Sequence, residues 1–91
     1  MKQRAIITVV GKDTVGIIAK VCTYLADNNI NILDISQTIV QEFFNMMMIV
    51  DMSHTEKPFE QISEEIAAVG TNTGVQIKCQ LEGIFNMMHR V

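Results

Sequence analysis

The sequence has no tryptophan, a single tyrosine and four phenylalanines, so aromatic residues make up 5% of 91 positions. A module that reads RNA on a sheet stacks bases on aromatic side chains in a basic setting. Here Tyr24 falls in a helical pattern, Phe43 and Phe44 open a strand otherwise filled by methionine and isoleucine, and the net charge is −3 with a pI near 5.2. Nucleic acid and anionic membrane surfaces are therefore excluded as general partners. Cysteine is nearly absent too. Cys22 and Cys79 have no metal or redox spacing and read as free, buried thiols. Long apolar runs are missing: the run after MKQR is broken by Thr8, Gly11 and Lys12, too short for a signal-peptide core or a bilayer span. A cytoplasmic protein is the expectation. One proline, 48% hydrophobic residues and no low-complexity stretch describe a folded chain of one domain, 1–91.

Catalytic and metal constellations are lacking as well. His54 and His89 are isolated, Asp34 has no base beside it, and no nucleophile has a partner, so no enzyme, metal or cofactor is expected. The loop GKDTVG has no thiolate pair for a soft metal. Its glycine spacing is that of a phosphate-cradling loop, but Ile17 and Ile18 stand where that loop needs lysine and a hydroxyl.

What is present is a regular alternation of periods. Residues 5–10, AIITVV, are β-branched and apolar, as in a strand covered on both faces. Val15, Ile18, Ala19, Cys22, Leu25 and Ala26 then recur at helical spacing, with Asp13 or Thr14 placed to cap the start and Asn28–Asn29 to end the helix. Over 30–40, INILDISQTIV, the period becomes near-alternating. Leu33, Ile35 and Ile39 share one face, Asp34, Ser36 and Thr38 the other, and Ile32 beside Leu33 predicts a bulge. Gln41–Glu42 turns the chain into FFNMMMIVDM, a strand apolar on both sides. Pro58 fits a first helical position, and Phe59, Ile62, Ile66 and Val69 follow at helical spacing with Glu60, Glu64 and Glu65 facing away. Gly74, or earlier Gly70, stops that helix, and Val75, Ile77, Cys79 and Leu81 alternate as a half-buried strand. The tail 83–91, GIFNMMHRV, has the spacing of a short helical turn beyond the 5–81 core.

The order β-α-β-β-α-β predicts an α+β, ferredoxin-like sandwich: a four-stranded antiparallel sheet with two helices on one face. One side of the sheet is left bare, and the two-sided apolar strand points to a partner chain as its cover, with the C-terminal turn as the alternative. The loop before the first helix presents backbone N–H groups suited to a carboxylate. Gly16 allows close approach there, and Asp13 can bind an amine or cap the helix.

The stretch ITVVGKDTVGIIAKVCTYLADNNINILDISQTIV resembles the signature of the ACT domain, a regulatory module with a strand, a G-x-D-x-x-G loop, a helix and an N-I-N-I lead into the second strand. The likeness covers 5–81, and the compact length with its IFNMMHRV ending is similar to small stand-alone bacterial ACT proteins, themselves similar to the regulator of the glycine cleavage system. Val15 stands where many ACT domains have proline, a departure that leaves the fold intact. The resemblance implies a homodimer, or another homo-oligomer, that binds an amino acid or related metabolite where the first loop meets the start of strand two of a neighbouring subunit. By position it implies Gly11, Asp13, Thr14, Val15 and Gly16 on the loop, with Asn31, Ile32 and Leu33 across the interface. Asn31 can donate to a carboxylate and accept from an ammonium, or serve as a turn residue closing helix one.

Overall fold

The computed structural model describes residues 3–12 and 16–82. The elements run β1 (Arg4–Lys12), α1 (Ile17–Asp27), β2 (Asn31–Val40), β3 (Phe43–Asp51), α2 (Phe59–Thr73) and β4 (Val75–Leu81). The strands form one antiparallel sheet in the order β2-β3-β1-β4, the expected ferredoxin-like sandwich. The tail over 83–91 lies outside the described residues.

The strand patterns fix which side each residue takes. Phe44, Met46, Met48 and Val50 of β3 are buried together with Ala5, Ile7 and Val9 of β1 and Val75, Ile77 and Cys79 of β4, and both helices pack on that side. Each such side chain contributes about 1.5–3 kcal/mol of apolar burial, which is why an irregular run such as FFNMMMIVDM settles with its even positions inward. The other side is only partly bare: Phe43 is 56%, Val10 46% and Met47 39% exposed, whereas Ile6 is buried at 6%. Burial raises the Cys79 thiol to about 11, and Cys22 is half-buried; both are free thiols.

Helix boundaries depart from the sequence reading in ways that matter for the site. The buried stripe of α1 is Ile17, Val21 and Leu25; Ile18, Ala19 and Ala26 are exposed and Cys22 half-buried. Of the expected apolar positions, Val15 lies outside the described residues, and of the other five only Leu25 is fully buried, because the helix is apolar over two adjacent stripes and its own sheet covers one. Helix α1 begins after Gly16 and ends as expected at Asn28–Asn29. Asn29 takes φ 58°, and the N–H groups of Asn29 and Ile30 donate to the carbonyls of Ala26 (3.2 Å) and Leu25 (2.9 Å). Pro58 precedes α2 as its N-cap, one position earlier than expected. The helix stops at Gly74, φ 88°, while Gly70 is buried inside it against β4.

Glu65 does not face away. Its Oε1 accepts hydrogen bonds from the Tyr24 hydroxyl (2.7 Å) and Lys57 Nζ (2.8 Å), and its Oε2 accepts from Gln61 (3.0 Å), tying α1 to α2. Lys57, then Tyr24 and Gln61, hold the Glu65 carboxyl down to about 2. Burial, and then the bond to Glu65, pushes the Tyr24 phenol up.

Candidate functional site

Of the eight residues implied by the resemblance, Asp13, Thr14 and Val15 lie outside the described residues; the other five fall at two places. Gly11 is the last residue but one of β1, opposite Phe44 of β3 and Val75 of β4. A Cβ there would lie 2.9 Å from Val75 Cγ1 and 3.1 Å from Val75 Cα, so this glycine admits β4. Gly16 is different. It takes φ 87°, a Cβ would meet nothing within 4 Å, and its carbonyl accepts the first helical bond from Lys20 at 3.0 Å. The first turn of α1, Ile17 to Lys20, holds no acidic residue, so no carboxylate there competes for its unpaired N–H groups.

Asn31 stands at the opposite end of the sheet. It pairs with Asp51, seven residues further along β3 than Phe44, so roughly 23 Å of strand separates it from Gly11. One chain therefore does not bring the two halves of the implied site together. The termination of α1 by Asn28, Asn29 and Ile30 leaves Asn31 with no part in closing the helix, and its exposed amide makes no hydrogen bond among the described residues. By register Asn31 shares the helix-free side with Asp51 and Arg4. Asp51 Oδ1 accepts from the backbone N–H (2.9 Å) and hydroxyl (2.6 Å) of Ser53, which fixes the chain after β3. Ile32 turns to the helices opposite Val50, and the register then shifts before Asp34 pairs with Ile49, the bulge expected there. Leu33, the extra residue, has no partner on β3 and is 47% exposed.

Between the two halves runs the outer edge of β2. Its helix-side residues Ile35 and Ile39 are 44% and 56% exposed. Tyr24 marks the α2 side of α1, and α2 packs on β4, so the stripe Ile18, Cys22 and Ala26 faces away from α2, toward this edge. The strand NILDISQTIV has neither lysine nor proline to discourage strand addition, whereas the other edge, β4, carries Lys78. Sequence reasoning placed Ile18, Cys22 and Ala26 in the core. The signal available was that apolar residues occupy two stripes of α1, more than one sheet face can cover.

A surface groove of about 510 Å³ between α1 and α2 is lined by Lys20, Thr23, Tyr24, Asp27, Val69 and Asn72 among others, and by none of the candidate residues. Among the described residues no His, Cys, Asp and Glu cluster could hold a metal, and no helix is long and apolar enough to cross a membrane.

Comparison with known proteins agrees with the architecture. The chain is 57% identical to a UPF0237 protein of Bifidobacterium longum over 98% of its own length and 99% of the relative's. It superposes on an ACT domain protein from Streptococcus pneumoniae with a TM-score of 0.82 at 42% identity, covering 93% of this chain and 96% of that one. A candidate glycine cleavage system transcriptional repressor shares the fold, with a TM-score of 0.77 at 20% identity, over 89% of this chain and 46% of that one. With the family model described as ACT domain matching residues 3–80, the chain belongs to the ACT-domain family.

Proposed function

We propose that the protein is a non-enzymatic, cytoplasmic regulatory domain that works as a homodimer and binds a small amino acid or related metabolite at the seam between two copies. The observation that carries this reading is the separation of the two halves of the site. Gly11 and Gly16 lie at one end of the sheet and Asn31 at the other, along an unprotected β2 edge flanked by exposed Ile18, Ile35 and Ile39. Antiparallel pairing of two β2 edges about a two-fold axis reverses one copy and sets Asn31 of the second copy beside the loop of the first. The α1 N-terminus then faces the carboxylate, with Asn31 and Asp13 available to the ammonium. Ligand binding across such a seam stabilises the dimer, and that change in association or geometry is the regulatory output.

The second reading is a ligand-free scaffold that pairs through its sheet with another ACT-bearing chain. Exposed Val10, Phe43 and Met47 on the helix-free side favour it. Two measurements decide between them. Light scattering coupled to gel filtration should give about twice the 10.2 kDa chain mass, and a clean monomer at tens of micromolar removes the homodimer. A thermal-shift screen of amino acids and folate-pathway metabolites should find a stabilising ligand whose effect Asn31→Ala largely abolishes while the unliganded melt is unchanged. ATP should give no shift. If nothing in the screen moves the melt, or Asn31→Ala responds as fully as the parent, the scaffold reading replaces the sensor.

A further inference from the structure

We propose that the segment over 83–91 lies across the helix-free side of its own sheet and covers Ile6 and Ile49, whether or not a ligand occupies the seam. Burial on that side rises toward one end of the sheet on three strands at once. On β1, Val10 is 46% exposed, Thr8 is half-buried and Ile6 is 6% exposed. On β3, Phe43 and Met47 are exposed and Ile49 is half-buried; on β4, Gln76 and Lys78 are exposed and Gln80 is half-buried. The sheet itself does not produce this gradient. Thr8 sits between Met47 and Lys78, and Ile6 between Ile49 and Gln80, so each has a strand on both sides. On a bare face the larger isoleucine would stand further out of the pleat than threonine and be the more exposed of the two. It is the less exposed, so atoms from outside the sheet rest on it. Arg4, its outward neighbour on the same side, does not supply them: its Nε and Nη2 both donate to Glu82 Oε1, at 3.2 and 2.9 Å, which draws the side chain across to the end of β4.

The course of the chain leaves one source for the cover. Residues 13–15 join β1 to α1 at the opposite end of the sheet. At Gln3 the N–H donates to Ser53 Oγ (3.1 Å) and the carbonyl accepts from the Met52 N–H (2.7 Å), so the chain there still follows β3 past the end of the face. Between Met52 and Pro58 it crosses to the helix side, where Lys57 bonds Glu65 of α2. The strand β4, by contrast, delivers the chain to the covered end, with the backbone already helical at Glu82.

The sequence GIFNMMHRV suits the place. Ile84, Met87, Met88 and Val91 share one stripe at helical spacing, and no acidic residue interrupts it. Nine residues in a helix run about 13 Å. From β4 over β1 to β3 is two strand spacings, roughly 10 Å, whereas β2 lies about 5 Å further out. On β2 the residues of this side, Asn31, Asp34 and Ser36, are exposed. The reach of the segment and the limit of the burial therefore coincide. A chain that pairs through the helix-free side must lift this segment or confine itself to Val10, Phe43 and Met47 at the far end.

The test is methyl NMR on the full chain, with isotope-labelled and unlabelled chains mixed so that contacts within a chain are told apart from contacts between chains. Cross-relaxation between the Ile6 and Ile49 δ-methyls and side chains of 83–91 in the same chain is expected. Its absence, or its presence only between chains, overturns the proposal. Ile84→Asp combined with Met88→Asp should move the Ile6 and Ile49 methyl signals, leave those of Val10 in place and lower Tm by roughly 10 °C. Asn86→Asp, on the opposite stripe, should do neither. Unmoved Ile6 and Ile49 signals in the folded double variant also overturn the proposal, and if that variant does not fold, the contacts in the parent chain decide.

Discussion

Gly11→Ala separates two reasons for a glycine in the first loop. The resemblance assigns Gly11 to ligand approach, whereas the structure puts Val75 where its Cβ would go, at 2.9 Å to Cγ1, 3.0 Å to Cβ and 3.1 Å to Cα. A β-branched valine has little freedom to turn its methyl aside, and its Cα belongs to the β4 ladder, so β1 and β4 must part by a few tenths of an ångström. Such overpacking costs about 1–3 kcal/mol, and replacing a strand glycine returns about 0.5–1 kcal/mol. The net loss is about 1 kcal/mol, a fall of roughly 4–8 °C in Tm for a domain of this size. Val75→Ala alone should cost about 1.5 kcal/mol for two buried methyl groups. The double variant should lose less than the two together by roughly 0.5–1 kcal/mol, because removing Cγ1 relieves the tightest contact while those to Cβ and Cα remain. Circular-dichroism melts of the four proteins close the cycle. If Gly11→Ala melts at or above the parent, or if the two losses simply add, the packing account of this glycine is wrong.

Three further outcomes follow from named contacts. Ile35→Lys sets an ammonium on the β2 edge and should give a folded monomer by light scattering, whereas Met47→Lys on the helix-free side should leave the dimer; the opposite pattern would move the interface to the sheet face. Gly16→Val must hold a β-branched residue at φ 87° and should lower the unliganded melt as well as ligand binding, with an unchanged melt counting against the left-handed start of α1. Glu65 has a folded-state pKa, about 2, below the usual carboxylate value near 4.3, so its contribution is present above that value and is lost as pH falls toward 2. The melt of Glu65→Gln should therefore fall less steeply between about pH 5 and pH 2 than the parent's, and parallel curves would show that the bonds from Lys57, Tyr24 and Gln61 do not add to stability.

Local patterns in the sequence determined the order of elements, the alternation of β3 and β4, the bulge before Asp34 and the C-terminal stops of both helices, because period, caps and turn residues act within a few positions of chain. Asn28–Asn29 and Gly74 were readable as stops for that reason. The family was readable too, since the loop glycines, Asp13 and the N-I-N-I lead are contiguous. Tertiary structure alone decided the rest. Which stripe of α1 meets its own sheet depends on where α2 stands, so Ile18, Cys22 and Ala26 read as core until the Tyr24 bond to Glu65 set the helix's rotation. The need for Gly11 comes from Val75, a residue far away in sequence and adjacent only through β1–β4 pairing. The sequence also places Asn31 a short way beyond the loop. Because α1 carries the chain back along the sheet, the fold sets it at the far end, and a site that uses both needs a second copy of the chain.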